Sequence, residues 1–290
     1  MNISARQLRL FEATVRLDSL TRAADEQAIS QSAASQSIKE LERQLGYALL
    51  RKAGRELRLT EQGRAALPLV RQLIMQVDSL QYPQQGFIGG TLRIAASVTI
   101  ASYLIPPLLA AFTGRFPQVN PVVDIQNTLT VIHQIERGEA SIGFIEGPAQ
   151  SPEVEVLPWK SDQLTAFCAP GHAVLQRDSY TLDDLMREPW VVREQGSGTR
   201  DVFDRACQKL FKTPRIAFAL SRQEAIKQSV RAGLGIGCLS RLSIVDELQS
   251  GQLVELHSPL DLARTFSIVR LKQLAKTPLL QAFGDFAEQF

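Results

Sequence analysis

Two groups of residues in this sequence have types and spacings that could do chemistry. The first lies in SQSAASQSIK, residues 30–39. On a helix, Gln31, Ser32, Ser35, Gln36 and Lys39 fall off the apolar stripe, on the outer face. A Gln amide can pair bidentately with adenine, a Ser hydroxyl can donate or accept, and a Lys ammonium suits guanine or phosphate. No acid stands between Ser30 and Lys39, and the positive end of the helix dipole points the same way. That is the chemistry of reading a DNA groove; an ordinary solvated helix face is the plainer alternative. The second group is a pair of small, hydroxyl-rich helix starts, Ser97-Val98-Thr99 and Gly196-Ser197-Gly198-Thr199. Free N–H groups at helix N-termini suit an anion. Thr128, after another strand, could add a hydroxyl. Simple capping is the alternative here, and it is compatible with ligand binding. Arg200 could add charge or face solvent.

Helices must position the first group. Residues 4–17 carry Leu8, Phe11 and Val15 on one face, with Ser4 as a candidate cap. A short helix follows over about 21–28, capped by Ser19 or Thr21, with Ala23 and Ala24 small enough for a close crossing. Ile29 interrupts, and Ser30 can cap a third helix whose buried stripe is Ala34, Ile38, Leu41 and Leu45. Gly46 ends it, since glycine tolerates the left-handed conformation. Two short helices and a tight turn before a longer helix make a helix-turn-helix, whose second helix presents its N-terminal residues to the major groove. Arg51, Lys52, Arg55 and Arg58 then cluster within eight residues around an Ala53-Gly54 turn signal, opposed only by Glu56. A basic hairpin beside a recognition helix would be a wing, with Arg51 and Arg55 meeting phosphates or the minor groove.

Residues 61–82 read as a further helix. Ala66, Val70, Leu73, Val77 and Leu80 are spaced as an a/d seam, which suits a second copy or packing on the same chain. Pro68 should kink or weaken its first turns. Residues 83–90 read as a hinge. Behind it, 92–146 and 190–240 share one plan: strand, turn and helix, strand, helix, strand. This alternation implies parallel α/β sheets in two lobes with a cleft between them. The strand and helix at the C-terminus return to the first lobe. Ligands in open α/β sheets bind at the carboxyl ends of strands, so Ser97, Thr99, Thr128, Ser197, Gly198 and Thr199 are candidates for holding a small carboxylate, phosphate or sulfur oxyanion.

The segment AADEQAISQSAASQSIKELERQLGYALLRKAGRELRLTEQG resembles the DNA-binding segment of LysR-type transcriptional regulators, which share an AA...S.S..S..I..LE..LG..L..R......LT..G pattern. The family's usual Phe-x-Arg is here Leu50-Arg51-Lys52, which keeps an apolar anchor and a cation. The resemblance implies an α/β protein overall. Its parts are an all-α winged helix-turn-helix (1–59), a linker and dimerisation helix with hinge (60–90), and a two-lobed effector domain like periplasmic solute-binding proteins (91–290). Lobe I would take about 91–162 plus 266–290, and lobe II about 163–265. Expected partners are double-stranded DNA with an inverted-repeat operator, a small anionic effector, and further copies in a homodimer or homotetramer. The EQGSGTR segment is similar to that of members governing sulfur or carbon assimilation.

The remaining features argue by exclusion. Residues 1–90 carry a net charge of +3 and the remainder −1, a basic front on a neutral back. Cys168, Cys207 and Cys238 are far apart, unlike a disulfide framework or zinc site. The three histidines are scattered, and no Walker loop, GxSxG elbow or HExxH occurs. No catalytic residue, metal or cofactor is therefore expected. The Gly233-Leu-Gly-Ile-Gly run follows a helix and precedes a strand, the reverse of a dinucleotide fingerprint. The first residues lack the apolar core of a signal peptide and no run could span a bilayer, so a cytoplasmic protein without membrane contact is expected. A solute-binding protein or an enzyme without DNA function is the alternative.

Overall fold

The computed structural model describes residues 2–53, 56–79, 88–148, 151–272 and 277–290. The front of the chain is helical: α1 (Ala5–Arg16), α2 (Leu20–Glu26) and α3 (Gln31–Leu45). Each begins where a serine can satisfy a free N–H. Ser4 accepts from Gln7 N while the Gln7 side chain reaches back; Ser19 accepts from Arg22 N, and Ser30 from Ala33 N. Between α2 and α3, Ala28 takes φ +51 and Ile29 N returns to Ala24 O, which closes the turn. Gly46 ends α3 at φ +79. Leu10, Phe11, Ala23, Ala24, Ala34 and Leu41 bury fully at the crossing of the three helices.

The hairpin β1 (Leu50–Ala53) and β2 (Glu56–Leu59) pairs antiparallel, with Arg51 opposite Arg58. Two side chains fasten it. Glu42 Oε accepts from Leu49 N (2.7 Å) and Leu50 N (3.0 Å). Thr60 Oγ donates to Ala48 O (2.6 Å) and accepts from Gly63 N (2.9 Å). Gly63 opens α4 (Glu61–Ser79) so close to the hairpin that a Cβ would lie 2.1 Å from Leu49 O.

The helix α4 runs unbroken across Pro68. Its expected seam is divided. Ala66 and Val70 are buried with Leu67 in the front core, because α4 must cover α1. Leu69 and Leu73 are exposed instead, at 61% and 47%, and form the outward apolar stripe. Val77 is half-buried, and Leu80 lies outside the described residues.

The back of the chain is α/β. In chain order it contains β3 (Gly90–Ser97), α5 (Val98–Tyr103), α6 (Ile105–Arg115), β4 (Val119–Gln126), α7 (Thr128–Glu136), β5 (Ile142–Glu146) and β6 (Val154–Cys168). Then come α8 (Leu182–Arg187), β7 (Pro189–Arg193), α9 (Gly198–Lys209), β8 (Arg215–Leu220), α10 (Gln223–Arg231), β9 (Ile236–Ser240), α11 (Val245–Gln249) and β10 (Val254–Leu256). The chain returns through β11 (Ala263–Leu271) and α12 (Pro278–Gln289). The strand order is β4-β3-β5-β11-β6-β9-β7-β8, with β10 on β6. The pairs β3–β4, β3–β5, β7–β8 and β7–β9 are parallel, and β11 and β6 are antiparallel to each other and to their other neighbours. The chain therefore leaves lobe I on β6 and comes back on β11.

Each lobe has a core on both faces of its sheet. In lobe I, Phe112, Phe144 and Phe283 gather on one face, and Val131, Ile135 and Ile145 on the other. In lobe II, Trp190 and Phe203 gather on one face, and Phe167, Ile226 and Val230 on the other. The three cysteines are free and buried in lobe II. Burial pushes the Cys168 and Cys207 thiols up to about 11, so neither is a ready nucleophile. Gly233 and Gly235, at φ +79 and +149, turn α10 into β9, as a helix-to-strand turn requires.

Gly63→Ala is expected to destabilise the protein by about 1–3 kcal/mol, because the added methyl meets backbone rather than a movable side chain. Chemical unfolding followed by circular dichroism measures it; an unchanged midpoint contradicts the close approach of α4 to the hairpin.

Candidate functional site

The α3 residues divide as the stripe requires. Ala34, Ile38 and Leu41 face inward, while Gln31, Ser32, Gln36 and Lys39 are exposed and Ser35 is half-buried. Ser32 Oγ lies 3.0 Å from Ser30 Oγ, so it is partly engaged by the cap. No acid lies in the first turn of α3; Glu40, further along, is neutralised by Arg43 at 2.6 Å. Arg51 stands exposed on the hairpin, and Arg55 lies outside the described residues. The start of α3 presents a polar face with Lys39 exposed, and the hairpin, fastened to α3 through Glu42, presents Arg51.

Four of the six cleft candidates, Thr99, Thr128, Gly198 and Thr199, converge on a residue that the sequence did not single out. Glu146 ends β5, with its side chain 2% exposed. Its Oε1 accepts from Thr99 N at 2.9 Å. Its Oε2 accepts from Thr199 Oγ (2.9 Å) and Arg264 Nη1 (2.6 Å). Its backbone oxygen accepts from Thr128 Oγ (3.2 Å), which in turn accepts from Gly198 N (3.3 Å). A Cβ on Gly198 would lie 1.8 Å from Glu146 O, so only glycine fits there. Ser97 and Ser197 are both 2% exposed beside these groups. The Ser97 hydroxyl is buried without a well-aligned hydrogen bond.

Arg264, on β11, completes the arrangement. Its Nε donates to Asp162 Oδ2 at 2.6 Å, and Asp162 also accepts from Ser240 Oγ at 2.8 Å. Gln223, from lobe II, donates to Thr99 Oγ of lobe I at 2.7 Å. Burial alone would raise the Glu146 carboxyl. The charges of Arg264 and Arg193, with the polar groups of Ser97 and Thr99, outweigh it and hold Glu146 well below the usual carboxylate range. Arg193, 1% exposed, is itself paired with Glu194 at 2.8 Å. Arg200 is occupied by Asp204 and the Arg193 carbonyl rather than free for a ligand.

Glu146 had a signal that could have found it: a lone charge closing the apolar strand of ASIGFIE, at a strand's carboxyl end, where ligands and polar networks collect. Arg264 had none, because its partners lie 102 and 118 residues away. Among the described residues no cluster of His, Cys, Asp and Glu could hold a metal, and no helix is long and apolar enough to cross a membrane.

Comparison with known proteins fits this geometry. Residues 5–64 match the model of the bacterial regulatory helix-turn-helix proteins of the lysR family, and residues 85–290 that of the LysR substrate binding domain. The chain is 37% identical over 289 residues to the HTH-type transcriptional regulator YeiE of Escherichia coli, covering 99% of this chain and 98% of that one. The chain belongs to the LysR family. As a LysR-type protein it is a DNA-binding transcriptional regulator with an effector-binding domain, and not an enzyme. Its fold is shared with full-length CbnR complexed with its target DNA (TM-score 0.66, 19% identity, 99% of each chain covered). It is shared too with the CcmR regulatory domain of Synechocystis complexed with 2-PG (TM-score 0.63, 24% identity, 69% of this chain and 96% of that one).

Removing one partner of a buried ion pair strands the other, at about 3–5 kcal/mol. Glu146→Gln is therefore expected to destabilise the LysR-type chain in urea. The sign follows from the depressed carboxyl: its contribution is complete above the ordinary value of 4.5 and fades as pH falls toward the folded value. The gap between wild type and variant should be constant at neutral pH and close in acid. A gap that persists unchanged at low pH means that Glu146 is not held as a carboxylate.

Proposed function

We propose that α3 reads base edges in the major groove, with Gln31, Ser32, Ser35, Gln36 and Lys39 as the reading set and the hairpin arginines Arg51 and Arg55 on the backbone or minor groove. The observation that carries this reading is the split of α3 into a buried Ala34–Ile38–Leu41 stripe and an exposed face without acids at its start. Leu69 and Leu73 give α4 an apolar stripe for a second copy, which places two α3 helices on an inverted repeat. A homotetramer is two such pairs. The cytoplasm, where a bacterial chromosome lies, is the compartment this requires.

Gln31→Ala and Gln36→Ala are expected to weaken binding to the genomic fragments the protein retains by about 1–3 kcal/mol each, leaving random DNA binding intact. Arg51→Ala should weaken both and flatten the salt dependence. Titrations at several salt concentrations separate the two classes; equal losses on both DNAs for the Gln variants would remove them from base reading.

The effector of this reading is a small oxyanion, such as a carboxylate, a phosphate or a sulfur oxyanion, bound between the lobes. Ser97, Thr99, Thr128, Ser197, Gly198 and Thr199 are its proposed ligands. Support comes from the cleft's own behaviour: its donors already gather around a carboxylate, Glu146, and the buried Ser97 hydroxyl still lacks a well-aligned partner. The 2-PG of the CcmR domain is an anion of this class. Saturation at a hundredfold excess over Kd adds about 2.7 kcal/mol of stability. In a melting screen pairing each oxyanion with a neutral isostere, stabilisation should follow the oxyanions. Stabilisation by the neutral partners alone overturns the assignment.

A further inference from the structure

Among the described residues, the linker helix meets lobe I at a narrow neck around Arg71 and Pro68. Arg71, on α4, is 8% exposed. Its Nε and Nη2 each lie 3.4 Å from Glu12 Oε1 on α1. Its Nη1 donates to the Arg137 carbonyl at 2.8 Å and lies 3.4 Å from Glu139 Oε1. Arg137 caps the C-terminus of α7, where carbonyls are unsatisfied and the helix dipole is negative, so a cation there is doubly placed. The backbones also approach: a Cβ on Gly138, at φ +62, would lie 3.6 Å from Pro68 Cα and 3.7 Å from Arg71 Cβ. On either side of this neck the two bodies stand apart, across crevices of about 690 and 500 Å³. One is lined by Arg16, Glu26, Arg93 and Asp124, the other by Arg51, Arg64 and Arg137.

We propose that Arg71 is the positioning residue that sets the angle between the DNA reader and the effector lobes. Its planar fork serves three acceptors in three different directions, on α1 and on both residues flanking Gly138. A point charge cannot reproduce that geometry. The opposite end of α7 is held as firmly, since Leu129 N donates to Gly196 O and Thr128 Oγ accepts from Gly198 N, both in lobe II. The helix α7 therefore touches the cleft at one end and the reader's latch at the other. Arg71 neither reads a base nor lines the effector cleft. It fixes where the reading helices stand when the cleft changes.

The test uses the full chain with spin labels on Asp25→Cys in α2 and Gln118→Cys in lobe I, diluted with unlabelled protein to suppress signals between copies. The three native thiols are buried and leave the labelling clean. The distance between labels should be narrowly distributed in the otherwise unaltered chain, broad in Arg71→Ala, and intermediate in Arg71→Lys, with unchanged helix content by circular dichroism. Glu139→Gln, which alters the latch from the lobe side, should also broaden it and serves if Arg71→Ala does not accumulate. A second arm uses unlabelled protein and the retained genomic fragments with five base pairs inserted between the sites of two α4-joined pairs, a spacing that α4 itself does not set. That insertion should cost the wild type about tenfold in affinity, and Arg71→Ala clearly less. A distance as narrow in the Arg71 and Glu139 variants as in the parent overturns the proposal. So does an equal insertion penalty in wild type and Arg71→Ala. The first arm needs no DNA, so its failure is separate from any failure of the groove-reading assignment.

Discussion

A carboxylate buried as deeply as Glu146 must be met by cations and donors, and meeting it draws both lobes together. Thr99 and Arg264 come to it from lobe I and the returning strand, and Thr199 comes from lobe II. Arg264 carries the chain of pairs on to Asp162 on β6, the strand that passes between the lobes. An ion network of this kind is weak evidence for stability, since apolar replacements are often as good. Its distinctive property is geometric. Thr99, Thr199, Arg264 and Asp162 each meet a partner in one arrangement, which defines the relative position of the lobes. The same donors that hold Glu146 are the ligands proposed for the effector, so in that reading Glu146 and the effector compete for one set of N–H and O–H groups.

The front domain solves a different problem, that of presenting polar side chains rigidly with little core behind them. The solution is local. Serines start all three helices, alanines at positions 23, 24 and 34 let them cross closely, and Glu42 on α3 binds the backbone of the hairpin. Thr60 and Gly63 then clamp α4 to the same hairpin, so the wing, α3 and the linker are fastened to one another. The pattern LE..LG…LT..G thus has a mechanical reading: Glu for two orphan amides, Gly for a left-handed turn, Thr for two carbonyls, and Gly for the room a methyl would take.

Legibility followed the range of the interactions. Caps at Ser4, Ser19 and Ser30, the stop at Gly46 and the α3 stripe are contacts within a few residues, and the sequence displays them. The two-lobe plan showed itself as a repeated strand–helix order. The partner of the α4 seam stayed open between a second copy and the same chain, because heptad spacing says which residues share a face and not what lies opposite. Ala66 and Val70 turned out to face α1. The long strand β6 went unrecognised, since its burial alternates at first and then becomes continuous where it passes from one lobe to the other. The six cleft residues could be picked from helix starts, yet their common centre could not. Glu146, Arg264, Asp162 and Gln223 are brought together across 47 to 165 residues of chain.

The two lobes are unequal in their relation to the DNA reader. Lobe I touches α4 through Pro68, Arg71 and the turn after α7, whereas lobe II meets lobe I through β6, β11 and the cleft. Any rearrangement of the cleft therefore moves lobe II against a body that already includes the reading helices. A signal expressed this way need not travel down the linker at all. It appears as a change in where lobe II stands, and lobe II carries exposed apolar groups such as Phe211, 97% exposed, and Phe218 on the edge strand β8. The Arg71 neck and the cleft are then complementary: one keeps the reader in register with lobe I, and the other sets where lobe II stands.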